Sequence, residues 1–156
     1  MTRTDSKFCT FWLGDAFFGV PVAKVQEVIC PQDMTRIPLA AGFIRGLINL
    51  RGQIVTAIDL RRRLGFQPRG NDEPPMNVVI RADGSAVSLL VDEIDEVFDA
   101  TDETFEAPPE NLDPAVRTLL VGVHKFPDRL MHVLDTHAVL TVPSTTRARD
   151  LQECET

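Results

Sequence analysis

The apolar residues of this chain come in short runs rich in Val, Ile, Leu and Phe, each closed by turn residues. That pattern predicts many short strands rather than amphipathic helices. The first run covers 8–13 and turns at Gly14-Asp15, the second covers 17–22, and the third, 25–30, stops at Pro31. Runs over 44–50 and 54–58 flank Arg51-Gly52 and predict a hairpin. Asp59 is placed to cap a short helix over 60–64 that Gly65 ends. Residues 67–75 are polar, hold three prolines and read as a linker. Beyond it, strands over 77–82 and 86–91 flank Asp83-Gly84, with Val87, Leu89 and Val91 on one face of the pleat. Strands over 119–124 and 130–134 flank a turn at Pro127-Asp128 that sets Phe126 toward solvent, and Asp135 caps a segment over 136–140.

The two parts of the chain can be laid on each other. Residues 43–64 overlie 119–140 without a gap, pairing Gly46 with Gly122, Asp59 with Asp135 and Leu64 with Leu140. Residues 17–29 overlie 86–98, pairing Val22 with Val91, Glu27 with Glu96 and Val28 with Val97. The extra length of the second half falls in one loop between about 99 and 118. This predicts an all-β, pseudo-duplicated fold of two small five-stranded β-barrels packed together, with short helices. Closure of a small sheet removes exposed edges, and neither half is large enough for an ample core alone. The expected first barrel spans about 7–66 and the second about 76–140, strand exchange between them being open, and 141–156 reads as a flexible tail.

Charge narrows the partners. The formal net charge is −7 and aromatics are 6% of the chain, with no Tyr, which argues against nucleic acid and anionic lipid. Segment 1–7 lacks the apolar run of a secretory leader, no apolar run is long enough for a membrane span, and Cys9, Cys30 and Cys154 show no pairing pattern. The expectation is a cytoplasmic protein with reduced thiols, those of Cys9 and Cys30 buried in apolar runs.

Tests for chemistry return little. Phosphate-loop, dinucleotide and nucleophile-elbow motifs are absent. His132 and His137 are five apart, a spacing that on strands or short turns does not aim both rings at one ion, and a metal site from His124, His132 and Asp135 is conceivable but less expected than ordinary strand or surface histidines. No cofactor and no catalytic residue is expected. A proline-peptide groove is disfavoured because such grooves are lined by aromatics. The stretch 92–110 carries nine acids and no base, read either as a solvated edge that blocks sheet-to-sheet association or as a surface for a basic partner. Arg61–Arg63 read as a solvated helix face. Arg51 stands at a hairpin tip, either as a plain turn residue or as half of an ion pair, and Glu27, which interrupts the apolar run 25–29, is the best-placed acid.

The motifs Val25-Gln26-Glu27-Val28, Thr35-Arg36-Ile37-Pro38, Phe43-Ile44-Arg45-Gly46-Leu47-Ile48-Asn49-Leu50-Arg51-Gly52-Gln53-Ile54-Val55 and Ile58-Asp59-Leu60-Arg61 closely resemble the CheW family of bacterial chemotaxis coupling proteins. Leu90-Val91-Asp92, Gly122-Val123, Leu130-Met131 and Leu134-Asp135 agree as well, so the resemblance covers roughly 7–140. It implies two SH3-like barrels and a non-enzymatic adaptor. It implies as partners the regulatory domain of a CheA-type histidine kinase and the cytoplasmic tip of chemoreceptors, with recruitment to receptor arrays at the inner membrane. By the same resemblance, Glu27 and Arg51 match a structural ion pair. Val22, Val25, Glu27, Asn49, Arg51 and Ile94 match a receptor-binding groove, and Ile37, Pro38 and Ile44 a kinase-facing segment. Thr56 stands where members of the family commonly carry Pro.

Overall fold

A computed structural model describes residues 7–38, 42–67, 74–82 and 84–140. The predicted tail and most of the predicted linker lie outside them. In chain order the strands are β1 (Lys7–Leu13), β2 (Ala16–Pro21), β3 (Val25–Ile29), β4 (Ile44–Leu50), β5 (Gln53–Asp59), β6 (Met76–Ala82), β7 (Ser85–Val91), β8 (Glu93–Ile94), β9 (Phe98–Asp99), β10 (Phe105–Glu106), β11 (Leu120–Phe126) and β12 (Arg129–Leu134). Short helices α1 (Leu60–Leu64), α2 (Pro114–Arg117) and α3 (Thr136–Leu140) interrupt them, with 3-10 turns at Val22–Lys24 and Asp102–Thr104.

The strands form two sheets, one ordered β3-β6-β7-β5-β4 and the other β10-β11-β12-β2-β1-β8, with β9 also on β1. The all-β class with short helices holds. Among the described residues neither ladder closes on itself, so the strands stand as two open sheets and barrel closure is not seen. Nor do the sheets divide at the linker. Hairpin β1–β2 lies in the sheet of β11–β12, through the parallel pairing of β2 with β12. Hairpin β6–β7 lies in the sheet of β4–β5, through the parallel pairing of β5 with β7.

The two sheets repeat one design in detail. Thr35 bridges Leu47 as Glu106 pairs with Val123. The Asp59 N–H donates to the Phe43 carbonyl at 2.7 Å, and the Asp135 N–H to the Leu119 carbonyl at 2.9 Å. The register slips between Ile44 and Gly46 and again between Leu120 and Gly122. Both glycines answer one steric demand: a Cβ on Gly46 would overlap the Thr35 carbonyl oxygen, and one on Gly122 would fall 2.6 Å from the Glu106 carbonyl oxygen. Asp59 accepts the Arg61 N–H at 3.1 Å and Asp135 the Ala138 N–H at 3.1 Å, so an aspartate caps each terminal helix.

Three cores follow from the strand alternation. Phe11, Leu13, Val78, Ile80, Leu89 and Leu134 are among the buried residues that join the two sheets. Ile48, Leu50, Val55, Val79 and Leu90 form a second cluster on one sheet, and Phe8, Phe17, Met131 and Val133 a third on the other. Strand β7 feeds two of these cores: Val87, Leu89 and Val91 share one face as expected, and Leu90 on the opposite face is as buried as Leu89. Phe126 is half-buried, not exposed, because its ring stacks on Phe98 at 5.3 Å between centroids.

Arg61 and Arg63 also depart from the expected solvated face. Arg61 pairs with Asp92 through two nitrogens, one at 3.0 Å, and donates to the Gln67 carbonyl at 2.7 Å. Arg63 donates to the carbonyls of Val139 and Ala138, at 2.9 and 3.1 Å, and lies 4.9 Å over the Phe43 ring. A five-residue helix cannot hold its own position, so these side chains fasten α1 to the β7–β8 corner and to α3. Cys9 is half-buried and Cys30 exposed, against the expectation for Cys30; the chain turns outward where β3 ends.

Candidate protein-docking surface

Hairpin β4–β5 turns through two residues of positive φ, Arg51 at +51° and Gly52 at +90°. That geometry matches the twist of its strands. Asn49 accepts the Gly52 N–H through Oδ1 at 2.9 Å and locks the turn. Left-handed backbone costs a non-glycine residue about 1 kcal/mol, so the position aims the Arg51 guanidinium in a fixed direction. There it meets the Glu27 carboxylate. Strands β3 and β4 are the two outer strands of their sheet, so the pair spans from one edge to the other where no ladder does. The Arg51 side chain is 73% exposed and that of Glu27 21%. Hydrogen bonds from Arg51 and then Gln26 hold the Glu27 carboxyl below its ordinary value.

Around this pair the surface is partly apolar. Val22 is 37% exposed on the 3-10 turn between the sheets, and Ile54, across from Asn49, is 60% exposed. Val25 and Ile94 are half-buried and pack on the core that joins the sheets. They are related by the internal repeat: Val25 pairs with Ile80 as Ile94 pairs with Phe11. Ile37 and Ile44 are half-buried and Pro38 exposed, along the outer strand β4 and the segment bridged to it at Thr35. Ile54 was missed as a surface residue; its signal was the alternation that buries Val55 and places Ile54 beside the turn. Val28 and Val97, aligned by the repeat, are both exposed.

The acidic stretch is partly consumed by the fold. Asp92 holds Arg61 and accepts the Gly14 N–H at 2.7 Å. Asp95 accepts the Trp12 indole N–H at 2.8 Å, the main cause of its lowered pKa. Asp99 lies 3.4 Å from Lys7, and Glu106 3.2 Å from Lys125. Of the histidines, His124 is buried between the Phe8 and Phe105 rings, with Nδ1 2.8 Å from the Thr104 hydroxyl. His132 donates from Nδ1 to the Phe17 carbonyl at 2.8 Å. Among the described residues no three His, Cys, Asp or Glu side chains gather as a metal site. Nor does any described helix have the length and apolarity to cross a membrane.

Two open sheets on one shared core, with charged and apolar side chains exposed at a hairpin turn, define a two-sheet β protein with a candidate docking surface. Residues 7–144 match the CheW-like domain, and the chain belongs to that family. It is 31% identical over 135 residues to the chemotaxis protein CheW of Klebsiella aerogenes, covering 86% of this chain and 81% of the relative. It is 27% identical over 146 residues to that of Bacillus subtilis, covering 94% of each. Protein FrzA of Myxococcus xanthus is 36% identical over 91 residues, 57% of this chain and 55% of the relative. The crystal structure of the scaffolding protein TtCheW from Thermoanaerobacter tengcongensis superposes with a TM-score of 0.80 at 29% identity, covering 88% of this chain and 94% of that one.

Proposed function

We propose that this chain is a non-enzymatic adaptor that couples chemoreceptors to a CheA-type histidine kinase. The observation that carries the reading is the solvent-facing Glu27–Arg51 pair, with exposed Ile54 beside its turn. A pair serving stability alone gains little at so exposed a position, whereas a fixed guanidinium beside apolar side chains suits recognition. The receptor-facing set is Val22, Val25, Glu27, Asn49, Arg51 and Ile94, and a helical receptor tip lays its apolar face there. The kinase-facing set is Ile37, Pro38 and Ile44. On this reading the two faces serve recruitment to receptor arrays at the inner membrane.

The test is reconstitution of the full chain with the regulatory domain of the cognate kinase and the cytoplasmic fragment of a cognate receptor. Each should bind alone, and the three should co-elute. A folded chain that binds neither would remove the reading.

A further inference from the structure

A cleft of about 320 Å³ lies beside the candidate receptor surface, lined by Lys24, Gln26, Gln53, Arg81, Ser85 and His137 among others. Lys24 and Gln26 flank Val25, and Gln53 follows the Arg51-Gly52 turn. In a chain of net charge −7, the described residues that line this cleft include no carboxylate. Lys24 and Arg81 are exposed, and among the described residues neither has an ion-pair partner; Arg81 makes only a 3.3 Å bond to the Ala23 carbonyl. The cleft shares Lys24, Thr136 and His137 with a second cavity of about 370 Å³. Pro21, Phe105 and Val121 give that second compartment an apolar side, while its lining also holds Asp102 and Asp135, the latter capping α3. Val121 is 51% exposed and Phe105 38%.

The internal repeat shows that the basic cleft is not a packing necessity. The residues matching Gln26, Gln53 and Arg81 in the other half are Asp95, Arg129 and Trp12. There the Trp12 indole donates to Asp95, and Arg129 lies 5.5 Å over its ring and 3.8 Å from Asp95. One half carries its own acid, base and aromatic in this place. The other offers cations and amides, with no acid among its described residues.

We infer that the joined clefts form a trough for an acid-bearing segment of the receptor, with carboxylates against Lys24 and Arg81 and an apolar side chain against Phe105 and Val121. This rests on the adaptor reading and names the chemistry of its receptor partner. Charge complementarity selects an anionic occupant, and the apolar side of the second compartment selects a peptide over a free anion.

The experiment titrates the full chain with the cytoplasmic fragment of a cognate receptor at low and at moderate salt, and separately with inorganic phosphate. Lys24→Glu, alone and with Arg81→Glu, should weaken receptor binding at low salt by about tenfold or more and flatten its salt dependence. Val121→Asp should weaken it too, while binding of the kinase regulatory domain and the thermal midpoint stay as in the parent. Variants that bind receptor within about twofold of the parent, with the same salt dependence, would overturn the trough and leave the adaptor reading standing. Phosphate binding lost in Lys24→Glu while receptor binding is kept would also overturn it, assigning the cleft to a small anion. A parent chain that binds kinase but no receptor fragment would overturn both.

Discussion

Replacing Gly46 by Ala puts a Cβ into the Thr35 carbonyl, with the Thr35 carbonyl carbon only 3.0 Å away. The obstacle is backbone, so it cannot swing aside as a side chain would. The segment around Thr35 must lift from β4. That breaks the Thr35 N–H bond to the Leu47 carbonyl, 2.9 Å, and the reciprocal Leu47 N–H bond, 2.7 Å. Two such bonds contribute about 1 kcal/mol each. Alanine in a strand returns about 0.5–1 kcal/mol through lost chain entropy in the unfolded state. The balance is a net loss of about 1–1.5 kcal/mol, or a fall of roughly 2–6 °C in thermal midpoint for a chain of this size. Because Ile37 and Pro38 follow Thr35, kinase binding should weaken as well. Gly42→Ala is the control, since nothing lies within 4 Å of its added Cβ. Urea and thermal melts by far-UV circular dichroism, with a kinase-domain pull-down, read both effects. A Gly46→Ala chain that melts with the Gly42 variant and binds kinase normally would refute the argument.

Other outcomes follow from the same geometry. Arg51→Ala should weaken receptor binding and let the Glu27 carboxyl rise toward its ordinary value of 4.5, seen by NMR titration, while moving the melt less than Gly46→Ala does. Glu27 and Asp95 both titrate below their ordinary values of 4.5 and 3.8. The stability they add is therefore present above those values and lost as pH falls through the lower folded ones, so urea midpoints should drop on acidification through that range and Trp12→Phe should shrink the Asp95 share. Leu89→Ala, in the core between the sheets, should cost about 2–5 kcal/mol. It should shift Trp12 fluorescence, which reports the other sheet, as far as it shifts circular dichroism; separated transitions would refute the shared core.

The sequence made the strands and both hairpin turns legible because alternation and Arg51-Gly52 or Pro127-Asp128 are local signals. The repeat was legible too, through Gly46 with Gly122 and Asp59 with Asp135. The parallel pairing of β2 with β12 was not, because nothing local to Phe17 or Met131 names a partner more than a hundred residues away. Strands β8, β9 and β10 have two residues each, too short for a periodicity. Arg61 and Arg63 misled for a related reason: a basic run on a short helix looks solvated until the Asp92 carboxylate and the Val139 carbonyl are brought to it. Of the candidate site, the Glu27 and Arg51 positions could be singled out in the sequence, but the basic cleft beside them needed Arg81 and His137 to arrive from the far half.

That crossing of halves bears on how an adaptor can work. Two barrels strung on a linker would hold two partners near each other and leave their orientation free. Here the hairpin from one half is the centre of the sheet that carries the Ile44 and Arg51 strands, and the other hairpin sits against β12. Val25 and Ile94 rest on a core to which both sheets contribute. A partner pressing on Val25 therefore presses on residues that also support β5 and β7, and it cannot move one sheet without repacking the other. The exchange packs two marginal halves into one unit, and such a unit is what the proposed adaptor role requires if a change of receptor geometry is to reach a kinase.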